Sequence, residues 1–230
     1  MLVGDVVTDF RNEVLDQTPT TWLDAAVLQF LNSILAAAVG LKKDLVPYQA
    51  TIPLVAGSVQ SLTQATGLTA ANFSSLVQCI EPLYNTASLN GLNKAGMLLL
   101  NRRIPGWRTI TPTVDATDIM FDQRDPARFH CYPPNTNTGS IQMICGAVPY
   151  FVSSLSGLIP LSASVVVIPV LDNYRQAIVD GLCSKALSAQ TRRQDIVKAN
   201  LFWQKFQAGI RGVQVALGEA APELADKAEA

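Results

Sequence analysis

The sequence predicts an α+β chain in which a helical bundle, built from both ends, carries an inserted β-rich domain. Three observations lead there. Apolar residues recur at helical spacing near the start (Val3, Val6, Val7, Phe10) and again after Pro169 (Tyr174, Ile178, Leu182). From Ala50 the period changes to alternation, with Ala50, Ile52 and Leu54 separated by polar or turn residues. Most of the glycines and prolines fall in this middle stretch, which is punctuated by short apolar runs. The expected organisation is residues 1–48 and 170–212 as a discontinuous helical bundle, 49–169 as the inserted β-rich domain, and 213–230 as a C-terminal tail.

Each element follows from its local pattern. Residues 2–16 read as a short amphipathic helix, and 17–20 as a linker around Pro19. Thr21 and Asp24 resemble a capping box opening a longer helix that runs to about Lys43 and is stopped by Pro47. Its apolar positions (Leu23, Val27, Phe30, Leu31, Ile34, Leu35, Ala38) cover more than one face, which suits a helix central to a bundle or packed against two neighbours. Ala56-Gly57-Ser58 is a turn, and Val59 to Leu62 resumes a strand. Thr69 to Cys79 fits a strand or a short helix, and Met97 to Leu100 reads as a buried strand. Two helices follow Pro169, joined by a turn at Gln190-Thr191, with Gly209, Gly212 and Gly218 fraying the second. The tail, rich in Ala, Glu and Pro, lacks the apolar content to order by itself.

The densest local signal lies in Phe121 to Pro149, which reads as a β-hairpin. Asp122 to Pro126 is a polar turn with an Asp-Pro step. Arg128 to Tyr132 alternates, placing Phe129 and Cys131 on one face and His130 and Tyr132 on the other. Pro133-Pro134 is expected to end that strand, because proline supplies no N–H to a ladder. Asn135 to Gly139 is a loop of turn formers, and Ser140 to Val148 returns with Ile141, Met143 and Cys145 on one face.

This segment carries the pattern Phe121-Asp122, Asp125-Pro126, Arg128-Phe129 and Tyr132-Pro133-Pro134, closing on Ala147 and Pro149. In that order it resembles the head-to-tail adaptor (connector) proteins of tailed phages. Trp22 to Gln60 is similar to the family's early helix with its Leu31-Asn32 step, then a strand and a turn spelled Leu54, Ala56-Gly57 and Gln60. Tyr174 to Phe206 resembles its C-terminal helical pair, including the aromatic end at Phe202, Trp203 and Phe206. The chain departs from the pattern at His130, where the family often has an aromatic, and across 61–103.

Composition bears on partners. Charged residues make up 15% of the chain, against about 25% in an average soluble protein. That shortage suits a subunit burying its exterior against other subunits, or a monomer whose surface is rich in Ser, Thr, Asn and Gln. The net charge of −1 gives no general affinity for nucleic acid. Acids dominate residues 1–50 and bases dominate 172–212, so the two regions could pair within a chain or between neighbours, or simply be solvated helix faces. The opening residues carry acids where a signal peptide needs a basic region and an apolar core. The longest apolar run, Leu161 to Leu171, is about half a bilayer span. An intracellular product with no membrane partner is expected. The four cysteines lack metal-ligand spacing and read as reduced, buried and small.

The pattern offers little catalytic chemistry. His130 is the single histidine, so no histidine cluster can hold a metal, and no nucleophile elbow accompanies it. Gly91 and Gly96 have phosphate-loop spacing, but Met97 and Leu98 stand where Lys and Ser or Thr would act. Asp115, Asp118, Asp122 and Asp125 form the main acidic cluster, open to a metal or carboxylate-pair role but better explained as strand-end turn residues. Arg102, Arg103, Arg108 and Trp107 form a basic, aromatic patch able to touch DNA phosphates, or an interface rim. Trp203 and Phe206 are either core residues of the last helix or anchors against a neighbouring subunit.

The resemblance implies a non-enzymatic virion protein at the head-tail junction. It would form a twelve-fold ring of copies between the portal protein and the tail (nozzle or tube) protein, extending the channel through which double-stranded DNA passes without specific binding. No catalytic residue, cofactor or metal is expected. The interface candidates are Trp203, Phe206, Arg102, Arg103, Trp107, Phe129, Tyr132, Pro133 and Pro134. By the same resemblance the bundle and tail engage the portal, and the β domain faces the tail machinery. Two other readings remain: a cytosolic protein-interaction module, and a metal-dependent hydrolase or nucleic-acid-processing enzyme using the Asp115–Asp125 cluster.

Overall fold

The computed structural model describes residues 1–16, 21–68, 73–122, 124–151, 160–189 and 194–219. Among these residues the chain is mixed α and β, with five helices and two sheets. It divides into two compact units, one made of Met1–Ile34 and Ser153–Ala230 and the other of Leu35–Val152.

In the first unit, α1 (Val3–Glu13) buries Val3, Val6, Val7 and Phe10, the apolar stripe its spacing predicts. Helix α2 (Asp24–Leu41) crosses the division between the units. Its length and mean hydropathy of 1.6 would be enough to cross a membrane. Its Val27, Leu28, Leu31, Ile34, Leu35, Ala38 and Val39 are buried in protein, while Gln29, Ser33 and Ala36 face outward. Helices α4 (Arg175–Ser188) and α5 (Ile196–Glu219) pack closely. A Cβ on Gly209 would lie 2.8 Å from that of Ala177, so the small residues set how near the two helices come. Gly209 is therefore a packing residue rather than a point of fraying, and α5 continues through residues expected to begin the tail. The linker at 17–20, the Gln190-Thr191 turn and the tail beyond Glu219 lie outside the described residues.

A buried ionic network closes the start of this unit. Arg11 is 4% exposed and donates to the Asp24 carboxylate at 2.5 Å, to Asp16 at 3.3 Å and to the Trp22 carbonyl at 3.3 Å. Asp16, itself 2% exposed, accepts from the backbone N–H groups of Thr21 and Trp22. Asp24 also accepts from the Leu161 N–H at 2.9 Å. Its side chain thus ties three chain segments together, beyond the capping role its position suggests. On the surface, Arg175 donates to Asp9 at 2.6 Å and to Asp5 at 3.5 Å, so one part of the acidic-to-basic pairing is made inside the chain.

The second unit holds both sheets. Strands β1 (Pro47–Pro53), β7 (Ser140–Pro149) and β3 (Phe73–Asn85) form one, in the order β1-β7-β3, with both pairs antiparallel. Strands β2 (Gly57–Ser61), β6 (Asp125–Asn135), β5 (Asp118–Asp122) and β4 (Asn93–Lys94) form the other, in the order β2-β6-β5-β4. Phe129, Cys131, Ile141, Met143 and Cys145 are all buried, as the alternation predicts. Within 69–79, the described part from Phe73 is strand.

The expected hairpin between the last two strands is not formed. β6 and β7 are consecutive in sequence but belong to different sheets. A strand has two edges; β6 spends both on β2 and β5, and β7 spends both on β1 and β3. The hairpin of this region is β5–β6, turning between Asp122 and Asp125. Pro133 and Pro134 do not end β6, which continues to Asn135. Asn135 then controls the change of sheet. Its buried amide donates to the Thr113 and Val114 carbonyls, and its oxygen accepts from Asn137 and Gly139. Met97 to Leu100 is also not a buried strand. It lies in helix α3 (Met97–Arg103), and Leu98 and Leu99 are exposed at 76% and 57%.

Candidate functional site

The polar residues that looked most like chemistry serve the architecture. His130 and Tyr132 lie on the face of β6 opposite Phe129 and Cys131, and meet Trp107 edge-on at 6.0 and 6.3 Å. Trp107 is fully buried with Leu100 and Met120, and its indole N–H donates to Asn101 at 2.8 Å. This small core holds α3 against the four-stranded sheet. In the Asp cluster, Asp125 accepts from the Ala127 N–H at 3.2 Å and pairs with Arg128, and Asp118 accepts from the Thr117 hydroxyl. Among the described residues no group of three or more His, Cys, Asp or Glu is placed to hold a metal. Gly91 bridges to Tyr84, and Gly96 precedes α3. Gln60 folds back on its own turn, donating to the Val55 and Gly57 carbonyls and accepting from the Val55 N–H.

The cysteines are free and buried. The Cys79 thiol is pushed up first by its hydrogen bond with Cys145, directly opposite on β7, and then by burial. Burial raises Cys131, and burial followed by repulsion from Glu13 and Asp180 raises Cys183 to about 12. Thiols held protonated in this way are poor nucleophiles.

The interface candidates divide by burial. Trp107, Phe129 and Phe206 are fully buried and Pro134 is buried, so these four present no surface to a neighbour and the structure corrects that expectation. Each completes a core that the chain makes by itself. Trp203 is half-buried, with its ring 5.0 Å from Phe206. Tyr132 and Pro133 are half-buried, and Tyr132 lines a hollow of about 530 Å³ with Lys94, Leu99, Arg103 and Asp118. Arg102 and Arg103 are exposed, as is Arg108, whose guanidinium lies 4.4 Å from the centre of the Trp107 ring.

Two surfaces gather exposed apolar groups beside charge, and the sequence pattern pointed to neither in full. One, in the second unit, is α3, with Leu98 and Leu99 outward and Arg102 and Arg103 one turn further on. The other, in the first unit, is an open groove of about 520 Å³ lined by Glu13, Val14, Leu15, Leu187, Asp195, Lys198, Leu201 and Phe202. Leu15 is 79% exposed and Leu201 52%, and Ile196 and Val197 stand exposed on the same helix as Leu201. The Leu98-Leu99…Arg102-Arg103 spacing is a visible signal once the segment is taken as helix. The groove has none, because its walls come from α1 and α5, far apart in sequence.

No protein-family model matches the chain, and no curated protein matches it.

Proposed function

We propose that this chain is a structural virion protein, a head-to-tail adaptor that forms a ring between portal and tail and extends the DNA channel. In this reading the helices form one bundle, interrupted by the β-rich part. The bundle and tail engage the portal, the β-rich part meets the tail protein, and DNA passes without specific binding. The motif order from Trp22 to Gln60, Phe121 to Pro149 and Tyr174 to Phe206 supports it. The observation that carries it furthest is the use made of side chains. The buried polar groups (Arg11, Asp16, Gln60, Asn85, Asn135) brace the fold. Some of the exposed large apolar groups, Leu98 and Leu99 in one place and Leu15 and Leu201 in another, lie on surfaces suited to contact.

The test is the native mass of the chain, alone and co-expressed with the portal protein of its own genome. Stoichiometric co-assembly into a ring-sized complex is the expected result. A monomer in both samples refutes the adaptor reading and favours a protein-interaction module. Removing residues 213–230 is expected to leave a folded chain that no longer joins the portal, and unchanged portal binding refutes that role for the tail.

A further inference from the structure

We infer that adjacent copies of this chain join head to tail, with α3 of one copy seated in the α1–α5 groove of the next. The inference rests on the adaptor reading and specifies the self-contact within it. Three observations carry it. The α3 ridge offers two exposed leucines followed at helical spacing by two exposed arginines. Among its described lining residues the groove offers the apolar side chains of Leu15, Leu201 and Phe202 together with the carboxylates of Glu13 and Asp195, offset by Lys198. The two surfaces are therefore complementary in both character and charge, and each is unlike itself. Each surface is matched to the other rather than to itself, and the ring of the adaptor reading selects an open head-to-tail contact over a reciprocal pair.

The third observation is the backbone of Leu15. It sits just past α1 with φ of +54°, and the Asp16 N–H closes back onto the Arg11 carbonyl. Glycine is the usual residue at such a left-handed helix end, since it bears no Cβ penalty. A leucine held there and left 79% exposed costs the monomer twice, in backbone strain and in apolar exposure. Docking against a second copy gives the side chain a use.

The test compares self-association of the full chain, alone and with the portal protein, by native mass and sedimentation. The variants are Leu98→Glu with Leu99→Glu (ridge), Leu201→Glu (groove) and Leu15→Gly. All these positions are exposed, and circular dichroism checks that each variant is folded. Each change is expected to weaken self-association about tenfold or more. Leu15→Gly should do so while leaving thermal stability unchanged or raised, an outcome that damage to the fold would not produce. Mixing the ridge and groove variants should give dimers and no larger species, since one intact contact remains per pair. Arg102→Glu with Arg103→Glu should slow association and reverse its salt dependence, because salt then screens a repulsion instead of an attraction.

Rings of wild-type size from the ridge and groove variants overturn the inference and leave the adaptor reading standing. Loss of portal joining with self-association intact assigns the groove to the portal and also overturns it. Stronger self-association after removal of residues 220–230 makes the chain's own tail the occupant, with the same consequence. A wild-type chain that is monomeric alone and with the portal overturns both readings.

Discussion

Replacing Arg11 with methionine tests whether the buried network at the start of the helical unit is structural. The substitution keeps the aliphatic stem and removes the guanidinium. It deletes ion pairs to Asp16 and Asp24 and the donors to the Trp22 carbonyl. The Asp16 side chain, 1% exposed, then keeps its two backbone donors but loses the Arg11 guanidinium. Leaving one member of a buried pair uncompensated costs about 3–5 kcal/mol. Removing the opposing charge costs less, so Arg11→Met with Asp24→Asn, whose amide oxygen still accepts from the Leu161 N–H, should recover part of the loss. Asp16 is kept because both its oxygens accept backbone N–H groups. The assay is urea unfolding followed by far-ultraviolet circular dichroism, where the network's loss should lower the midpoint of the helix-losing transition. A loss below about 1 kcal/mol for Arg11→Met, or no recovery in the double variant, refutes the reasoning.

The remaining predictions turn on individual positions. A Cβ on Gly146 would overlap the Lys43 carbonyl oxygen, and β7 is the central strand of its sheet. Gly146→Ala should therefore cost about 3 kcal/mol or more, read as a lowered melting temperature. Gly40, inside α2, has open space where a methyl would go, with nothing within 4 Å. Gly40→Ala should therefore stabilise by about 0.5–1 kcal/mol, and the same sign for both glycines would refute the argument. Burial raises the Asp180 carboxyl above its ordinary value, against the opposing pull of its hydrogen bond from Gln176 and of Lys205. The folded state then holds the Asp180 proton more tightly than the unfolded state, so this group's contribution falls as pH rises through the folded pKa. Asp180→Asn keeps the acceptor for Gln176 and should melt higher than wild type at neutral pH, with the gap closing in acid. A lower melting temperature at neutral pH would refute it.

Local pattern made the elements legible, and long-range choice hid the rest. The stripe of Val3, Val6, Val7 and Phe10 and the alternation through Phe129 and Cys131 were readable because helix and strand periods depend on neighbours a few residues away. The partnering of β6 and β7 was not, because two consecutive amphipathic strands look the same whether they pair or change sheet. The device that decides it, the Asn135 side chain bridging residues 113–114 and 137–139, looks like ordinary turn chemistry in sequence. Met97 to Leu100 misled for a related reason: four apolar residues fit a buried strand or one turn of helix, and only the Trp107 core below decides for helix. Of the candidate site, the arginines were readable as exposed charge. The aromatics were not separable into core and surface, since Trp107 and Trp203 differ in burial but not in local pattern.

A head-to-tail contact has a consequence for how copy number is set. A symmetric contact between two copies uses up its own surface and ends at a dimer. A ridge meeting a groove leaves one of each free on every growing assembly, so addition continues until the ends meet or a filament forms. Closure then depends on the rotation relating one copy to the next, not on the strength of the contact. Small changes in that rotation separate one ring number from its neighbours, so a contact made of a few leucines and charges on short elements does not by itself fix the number. A preassembled ring with its own symmetry does so readily, by presenting equivalent docking places at a fixed spacing. In the adaptor reading the portal supplies that spacing. The ridge and groove need then be only strong enough to link copies already held side by side, which agrees with the modest size of both surfaces.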